Sequence, residues 1–144
     1  MTPVDLAELP GMEFDWLATD DAGHLAQMLS SGHGRVPDTA LSSEEDLFAL
    51  HLWLDEQPLS EALSIPEGTF QALLAQPQRR GLYVYDAQPA AGDAPDAARS
   101  NTYTLLAAPA TPLTLEHVPE AFRAIIPHLP GHFGRQHTLT IEGQ

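Results

Sequence analysis

Apolar and polar positions alternate in two neighbouring stretches near the start of the chain. In residues 13–19 the apolar side chains, Trp16 among them, recur on one side of an extended backbone, as in a half-buried strand. Residues 24–30 can return as the partner strand. The sequence between the two stretches, Asp20-Asp21-Ala22-Gly23, is typical of a tight turn. The pattern therefore predicts an opening β-hairpin, with Trp16 partly open to solvent.

A longer apolar stretch predicts the first helix. Ser42 and Glu45 have the spacing of a capping box, and the three acidic residues at 44–46 suit the positive end of a helix dipole. Six apolar residues between 47 and 54 surround most of the helix circumference, so we expect this helix to be largely buried. It should end near Glu56.

Two further segments carry helix signals. The Ser-Ile-Pro-Glu sequence at 64–67 predicts a helix start, followed by an apolar stripe that includes Phe70 and Leu73. Residues 114–126 predict a third helix, with Pro119 near its first turn.

Three later stretches predict strands. Residues 82–85 are apolar on both faces and rich in strand-forming residues, as in a central strand. Residues 102–107 and 137–142 have the pattern of further strands. Residues 87–101 form a loop of about 15 residues without periodicity, and a loop of that length is either mobile or functional.

The order of these elements, ββααββαβ, lacks regular βαβ alternation and predicts an α+β fold. We expect one domain over residues 1–144, with residues 1–12 as a leader. The domain should hold an antiparallel sheet of about five strands, with three helices packed mainly on one face.

The charge of the chain is unusual. Its 144 residues include 20 acidic side chains, six arginines and no lysine, which gives a formal net charge of −14. Residues 1–72 hold 14 of the acidic side chains and one arginine, whereas residues 73–144 hold six and five. Such a chain should be repelled by nucleic acid and by anionic membranes. The acidic half indicates either a solvated surface that maintains solubility or a surface that meets a basic partner.

The candidate catalytic and metal-binding residues form no known motif. The absence of cysteine excludes disulfides, thiolate zinc sites and cysteine nucleophiles. The paired carboxylates stand where solvent and a helix dipole keep them ionised, so they do not suit acid–base catalysis. We therefore predict no enzymatic activity, no cofactor and no bound metal. An alternative, a small-ligand or metal-binding domain, depends on five histidines: His24, His33, His128, His132 and His137.

Several short stretches of the chain resemble a loosely defined group of small bacterial proteins, some of which are encoded beside toxins as immunity proteins. The stretches are Phe14-Asp15-Trp16 with Asp20 and Gly23, Gly32-His33-Gly34-x-Val36-Pro37, Arg80-Gly81-Leu82-Tyr83-Val84-Tyr85-Asp86, and Pro112-Leu113-Thr114 with Pro119. The resemblance implies a non-enzymatic antitoxin that binds one cognate effector. The N-terminus has no positive charge and no long apolar run, so we expect a cytoplasmic protein. We also expect a monomer or weak dimer when the protein is free of its partner.

A basic toxin surface would require acidic and aromatic contacts on this chain. Clustered carboxylates steer such an encounter, and an aromatic residue anchors the contact. The predicted contact residues are Trp16, Asp20, Asp21, Glu44, Glu45, Asp46, Asp55 and Glu56.

Overall fold

A computed structural model describes residue 3 and residues 15–30, 34–87 and 101–141. The predicted leader apart from residue 3, and the predicted loop apart from its two end residues, lie outside these ranges. The strands are β1 (Asp15–Thr19), β2 (Leu25–Leu29), β3 (Tyr83–Ala87), β4 (Thr102–Ala107) and β5 (Thr138–Thr140). The α-helices are α1 (Glu44–Asp55), α2 (Phe70–Leu74) and α3 (Glu120–Arg123). Both the α+β fold and the predicted order of elements are confirmed.

The five strands form one sheet in the order β1-β2-β3-β4-β5. Three of the pairings are antiparallel, as expected, but β2 and β3 pair in parallel, with Ala26 opposite Tyr83. The parallel pair arises because α1 and α2 form a crossover, which returns the chain to the end of the sheet where β2 begins. The sheet is therefore mixed rather than wholly antiparallel.

The sheet is curled into a half-barrel, and its inner face holds the fully buried aromatic side chains Trp16, Tyr85, Tyr103 and Phe133. The Nε1–H of Trp16 on β1 donates to the hydroxyl of Tyr103 on β4 at 3.2 Å, and the two rings meet edge to face. These strands are not neighbours in the sheet, so their contact requires the curl. The Tyr103 hydroxyl in turn donates to the carbonyl of Arg35 at 2.8 Å. A Cβ at Gly34 would collide with this tyrosine, so the chain crosses the inner face at a residue without a side chain.

The outer face of the sheet is covered by the helices, as the sequence predicts. One buried cluster joins strand residues to α1 and to the segment around α3: Leu17, Leu25, Leu82, Leu47, Leu50, Leu54, Ile125 and Ile126. A second joins Leu29, Val84 and Ala107 to Ala75 and the partly buried Leu74. No helix in the described ranges is both long enough and apolar enough to span a bilayer.

The predicted start of α1 is wrong by one residue. Ser43, not Ser42, is the N-cap, and its hydroxyl oxygen accepts the N–H of Asp46 at 3.2 Å. The Ser42 hydroxyl instead donates to the carbonyl of Thr39 at 2.8 Å, where it closes the preceding 3-10 turn. Either serine fits a cap motif, and the local turn decides which one is used.

The other two helices are shorter than predicted, for reasons of backbone geometry. Gly68 has a φ of +85°, which a right-handed helix cannot contain, so α2 starts only after Thr69, its N-cap. In the third segment, Pro119 holds Val118 in an extended conformation with a ψ of 133°. This residue separates a 3-10 turn at Leu115–His117 from α3.

Candidate protein-binding face

The turn between β1 and β2 is held against the segment 127–133 by Asp20. The carboxylate of Asp20 is fully buried and accepts the backbone N–H of Ala22, His24 and Phe133 at 2.9, 3.0 and 3.0 Å. We call this arrangement the Asp20 clasp. The Asp20 carboxylate is therefore bound inside the molecule, and the predicted contact with a partner would require it to leave these hydrogen bonds.

Asp21 is exposed but engaged with the same segment. One carboxylate oxygen lies 2.7 Å from Nε2 of His128, and the other accepts the N–H of Gly131 at 2.9 Å. The hydrogen bonds from Gly131 and then from His128 hold the pKa of Asp21 below its ordinary value. Asp21 therefore has a structural partner, and a protein bound there would compete with His128.

Trp16 lies in the inner core, where its ring is completely covered. The expectation of a half-exposed tryptophan is wrong, because the curl of the sheet brings Tyr103 over a position that a flat hairpin would leave open. No surface contact can be made by this side chain in the folded protein.

The remaining predicted residues all belong to α1 or its C-cap. Glu44 and Glu45 are exposed, and Asp46 is half-buried, in the first turn where the helix dipole favours negative charge. Asp55 and Glu56 are exposed at the opposite end of the helix, where the dipole disfavours negative charge. The acidic residues at the C-terminal end are therefore not explained by helix stability.

Two large apolar side chains lie on α1 between these acidic ends. Phe48 is 66% exposed and Leu52 is 50% exposed, which contradicts the expectation of a helix buried on nearly all sides. The helical period places both on the side opposite Leu47, Leu50 and Leu54, which are buried against the sheet. A single layer of helices covers the outer face, so an apolar side chain on its far side has nothing to pack against. We define the α1 ridge as Glu44, Glu45, Phe48, Leu52, Asp55 and Glu56.

The arginines near these helices do not neutralise the α1 ridge. The guanidinium of Arg80 donates to the carbonyls of Gln57 at 3.2 Å and Asp55 at 3.4 Å. Arg123 donates in the same way to Val118 at 3.0 Å. Within the described ranges, the carboxylates of Glu44, Asp55 and Glu56 form no ion pair. These three carboxylates therefore lie around the apolar centre of the α1 ridge without an ion-pair partner in the described part of the chain.

The histidines do not form a metal site in the part of the chain that the structure describes. No group of three His, Asp or Glu side chains there converges on one point, and His33 lies outside the described residues. His24 stacks on Tyr83 with ring centroids 6.0 Å apart. A groove of about 670 Å³ borders His128, but prolines and aliphatic residues form most of its wall, and the His128 ring is bound to Asp21. No observation within the described ranges favours the ligand-binding alternative.

The sequence predicts the acidic members of the α1 ridge as contact residues but does not predict its exposed apolar centre. Phe48 and Leu52 could have been identified from the number of helices: three short helices cannot enclose one another, so a helix apolar on all sides must expose one side. Comparisons with protein-family models, with curated proteins and with solved structures find no match to this chain.

Proposed function

We propose that this chain is a non-enzymatic inhibitor of the immunity-protein class, which binds a cognate basic bacterial toxin and neutralises it by covering its active site. The observation that carries the proposal is the α1 ridge, where Phe48 and Leu52 are exposed between Glu44 at one end and Asp55 and Glu56 at the other, three carboxylates that form no ion pair within the described ranges. The proposed inhibitor is cytoplasmic, needs no cofactor and is a monomer or weak dimer until it meets its partner.

The two kinds of side chain on the α1 ridge suit the two stages of protein association. Carboxylates attract a positively charged surface over a distance of about 10 Å at moderate salt, and so accelerate encounter. Apolar side chains become favourable only on contact, when water is removed from them, and they slow dissociation. A surface with only one of these features would be either weakly held or slow to find its partner.

The first experiment is co-purification of the tagged chain with proteins of its native lysate, including the product of the adjacent upstream gene, at low and high salt. A single basic protein in a one-to-one complex that high salt weakens is the expected result. Inhibition of that protein's toxicity by the purified chain then tests the inhibitor role directly. Recovery of the chain alone at every salt concentration would contradict the proposal.

The second experiment locates the surface by matched charge reversal. The triple variant Glu44→Arg, Glu45→Arg, Asp55→Arg should lower the association rate about tenfold or more at low salt. Glu67→Arg, Glu116→Arg, Glu120→Arg changes the net charge equally at exposed positions outside α1. Equal loss in both variants would mean that total charge, and not the α1 ridge, attracts the partner.

A further inference from the structure

We infer that the α1 ridge docks lengthwise against a basic amphipathic helix of the partner. The inference rests on the proposed function and specifies the element that the partner must present. Its starting point is the order of side chains along α1: acidic at the N-terminal end, apolar in the middle, acidic again at the C-terminal end.

The dimensions of the α1 ridge match one face of a short helix. Phe48 and Leu52 are one turn apart, or about 6 Å along the axis. The acidic residues at the two ends, Glu44 and Asp55, are about 16 Å apart along the same axis. A partner helix of about three turns can therefore place apolar side chains against the centre and cations against both ends.

The shape of the α1 ridge favours a helix as its occupant. Side chains one turn apart form a row, and such rows pack between the rows of another helix at an axis separation of about 8–10 Å. The neighbouring elements cover only the opposite side of α1, where Leu47, Leu50 and Leu54 are buried. Apolar residues spaced at three and four positions on the partner would then meet Phe48 and Leu52 together.

A second copy of the chain does not suit the α1 ridge. In an antiparallel arrangement Glu44 would face Asp55 of the other copy, and in a parallel arrangement each acidic end would face its equal. Both arrangements bring like charges together across an apolar contact, which is unfavourable. Charge complementarity therefore selects a basic occupant.

The molecule contains a matched control for the apolar centre. Phe70 and Leu73 on α2 are 65% and 67% exposed and are also about one turn apart. Acidic residues do not flank this pair at both ends: the first turn of α2 contains none, and Glu67 precedes the helix. The two pairs therefore differ in the charges around them and in the length of their helices, 12 residues in α1 and 5 in α2.

The test uses two peptides of leucine and lysine, each of about 18 residues, long enough for five turns. One places leucine at i, i+3, i+4 and i+7, and the other has the same composition in scrambled order. Fluorescence anisotropy at about 0.15 M salt should show that the wild-type protein binds the amphipathic peptide about tenfold more tightly than the scrambled one. Phe48→Ala with Leu52→Ala should abolish this preference, whereas Phe70→Ala with Leu73→Ala should leave it unchanged.

Three results would overturn the inference: equal binding of both peptides, no binding of either, or equal loss in the two double variants. All four side chains are exposed, so both variants should keep the wild-type circular dichroism spectrum. Peptide selectivity without a basic protein in the co-purification would leave the helix-docking inference standing and contradict the inhibitor role. A basic partner in the co-purification without peptide selectivity would support the inhibitor role and overturn the helix-docking inference.

Discussion

Two residues next to each other in the sequence, Asp20 and Asp21, have different roles because only one carboxylate is buried. Asp20 accepts three backbone N–H groups inside the protein, whereas Asp21 remains exposed and pairs with His128. The sequence identifies both as turn residues. It cannot indicate which of them meets Phe133, because that contact depends on how a segment 113 residues away is folded.

Substitution of Asp20 should lower the stability of the folded protein more than most substitutions do. Asp20→Ala leaves the buried N–H of Phe133 and the part-buried N–H groups of Ala22 and His24 without this acceptor, so we expect the free energy of unfolding to fall by about 2–4 kcal/mol. Urea denaturation followed by tryptophan fluorescence measures this loss. Asp21→Ala should cause a clearly smaller loss, because water can replace its contacts. Equal losses would mean that the burial of Asp20 has no energetic consequence.

A second carboxylate, that of Glu61, should make stability depend on pH. Burial raises its pKa, but hydrogen bonds from the N–H of Ala110, the amide of Gln78 and the N–H of Thr111 together hold the pKa below its ordinary value of 4.5. Between the lowered pKa and 4.5 the unfolded chain binds more protons than the folded one. The contribution of Glu61 to the free energy of unfolding is therefore complete above pH 4.5. It is lost as the pH falls through the pKa that Glu61 has in the folded protein.

The matching measurement compares the wild type with Glu61→Gln by urea denaturation at pH 7, 5, 4 and 3. We expect the wild type to be the more stable protein at pH 7 and the difference to shrink below pH 4.5. The general effect of acid on a chain of this charge is common to both proteins and cancels in the comparison. A difference that stays constant over this range would contradict the assignment.

At the scale of the element, α1 combines a favourable N-terminal end with an unfavourable C-terminal end. Its N-cap and first-turn carboxylates complement the dipole, whereas Asp55 lies in a last turn that holds no basic residue. We expect Asp55→Asn to raise the free energy of unfolding slightly, by about 0.3–1 kcal/mol, and to weaken binding of the proposed basic partner. Thermal denaturation and association kinetics give the two values. A variant that loses stability as well would show that Asp55 serves the fold.

The elements themselves were predictable to different degrees. Strands β1 to β5 follow local alternation or apolar runs, and all five lie where the sequence placed them. Helix boundaries were less predictable because adjacent residues compete for the same cap, as Ser42 and Ser43 do, or because Gly68 takes a left-handed conformation. The residue at which a helix begins depends on the turn that precedes it. The apolar periodicity of the helix itself does not indicate the conformation of that turn.

At the scale of the whole molecule, the α+β class followed from the order of elements, but the parallel pairing of β2 and β3 did not. A crossover of two helices and their connecting segments has no distinctive period, so its geometry is visible only once the strands are paired. The same applies to the candidate site. Charge pointed to α1, whereas the exposure of Phe48 and Leu52 and the burial of Trp16 depend on which surfaces the helices cover.

The net charge of −14 gives the folded protein and the proposed complex opposite responses to salt. Sodium chloride screens repulsion among the carboxylates, so the urea midpoint of the free protein should rise as salt increases to about 0.5 M. The same screening should slow association with a basic partner. Neutralising the α1 ridge with Glu44→Gln, Glu45→Gln and Asp55→Asn should reduce both salt effects. A urea midpoint that falls with salt would contradict this account.

The Asp20 clasp also has a consequence for the time at which the protein becomes complete during its synthesis. Asp20 and Phe133 are 113 residues apart, and a ribosome adding about 5–20 residues per second needs about 6–23 s to cover that distance. Until Phe133 has been synthesised, the carboxylate of Asp20 lacks the third of its three backbone N–H donors. The Asp20 clasp can therefore close only after strands β1 to β4 have all been synthesised.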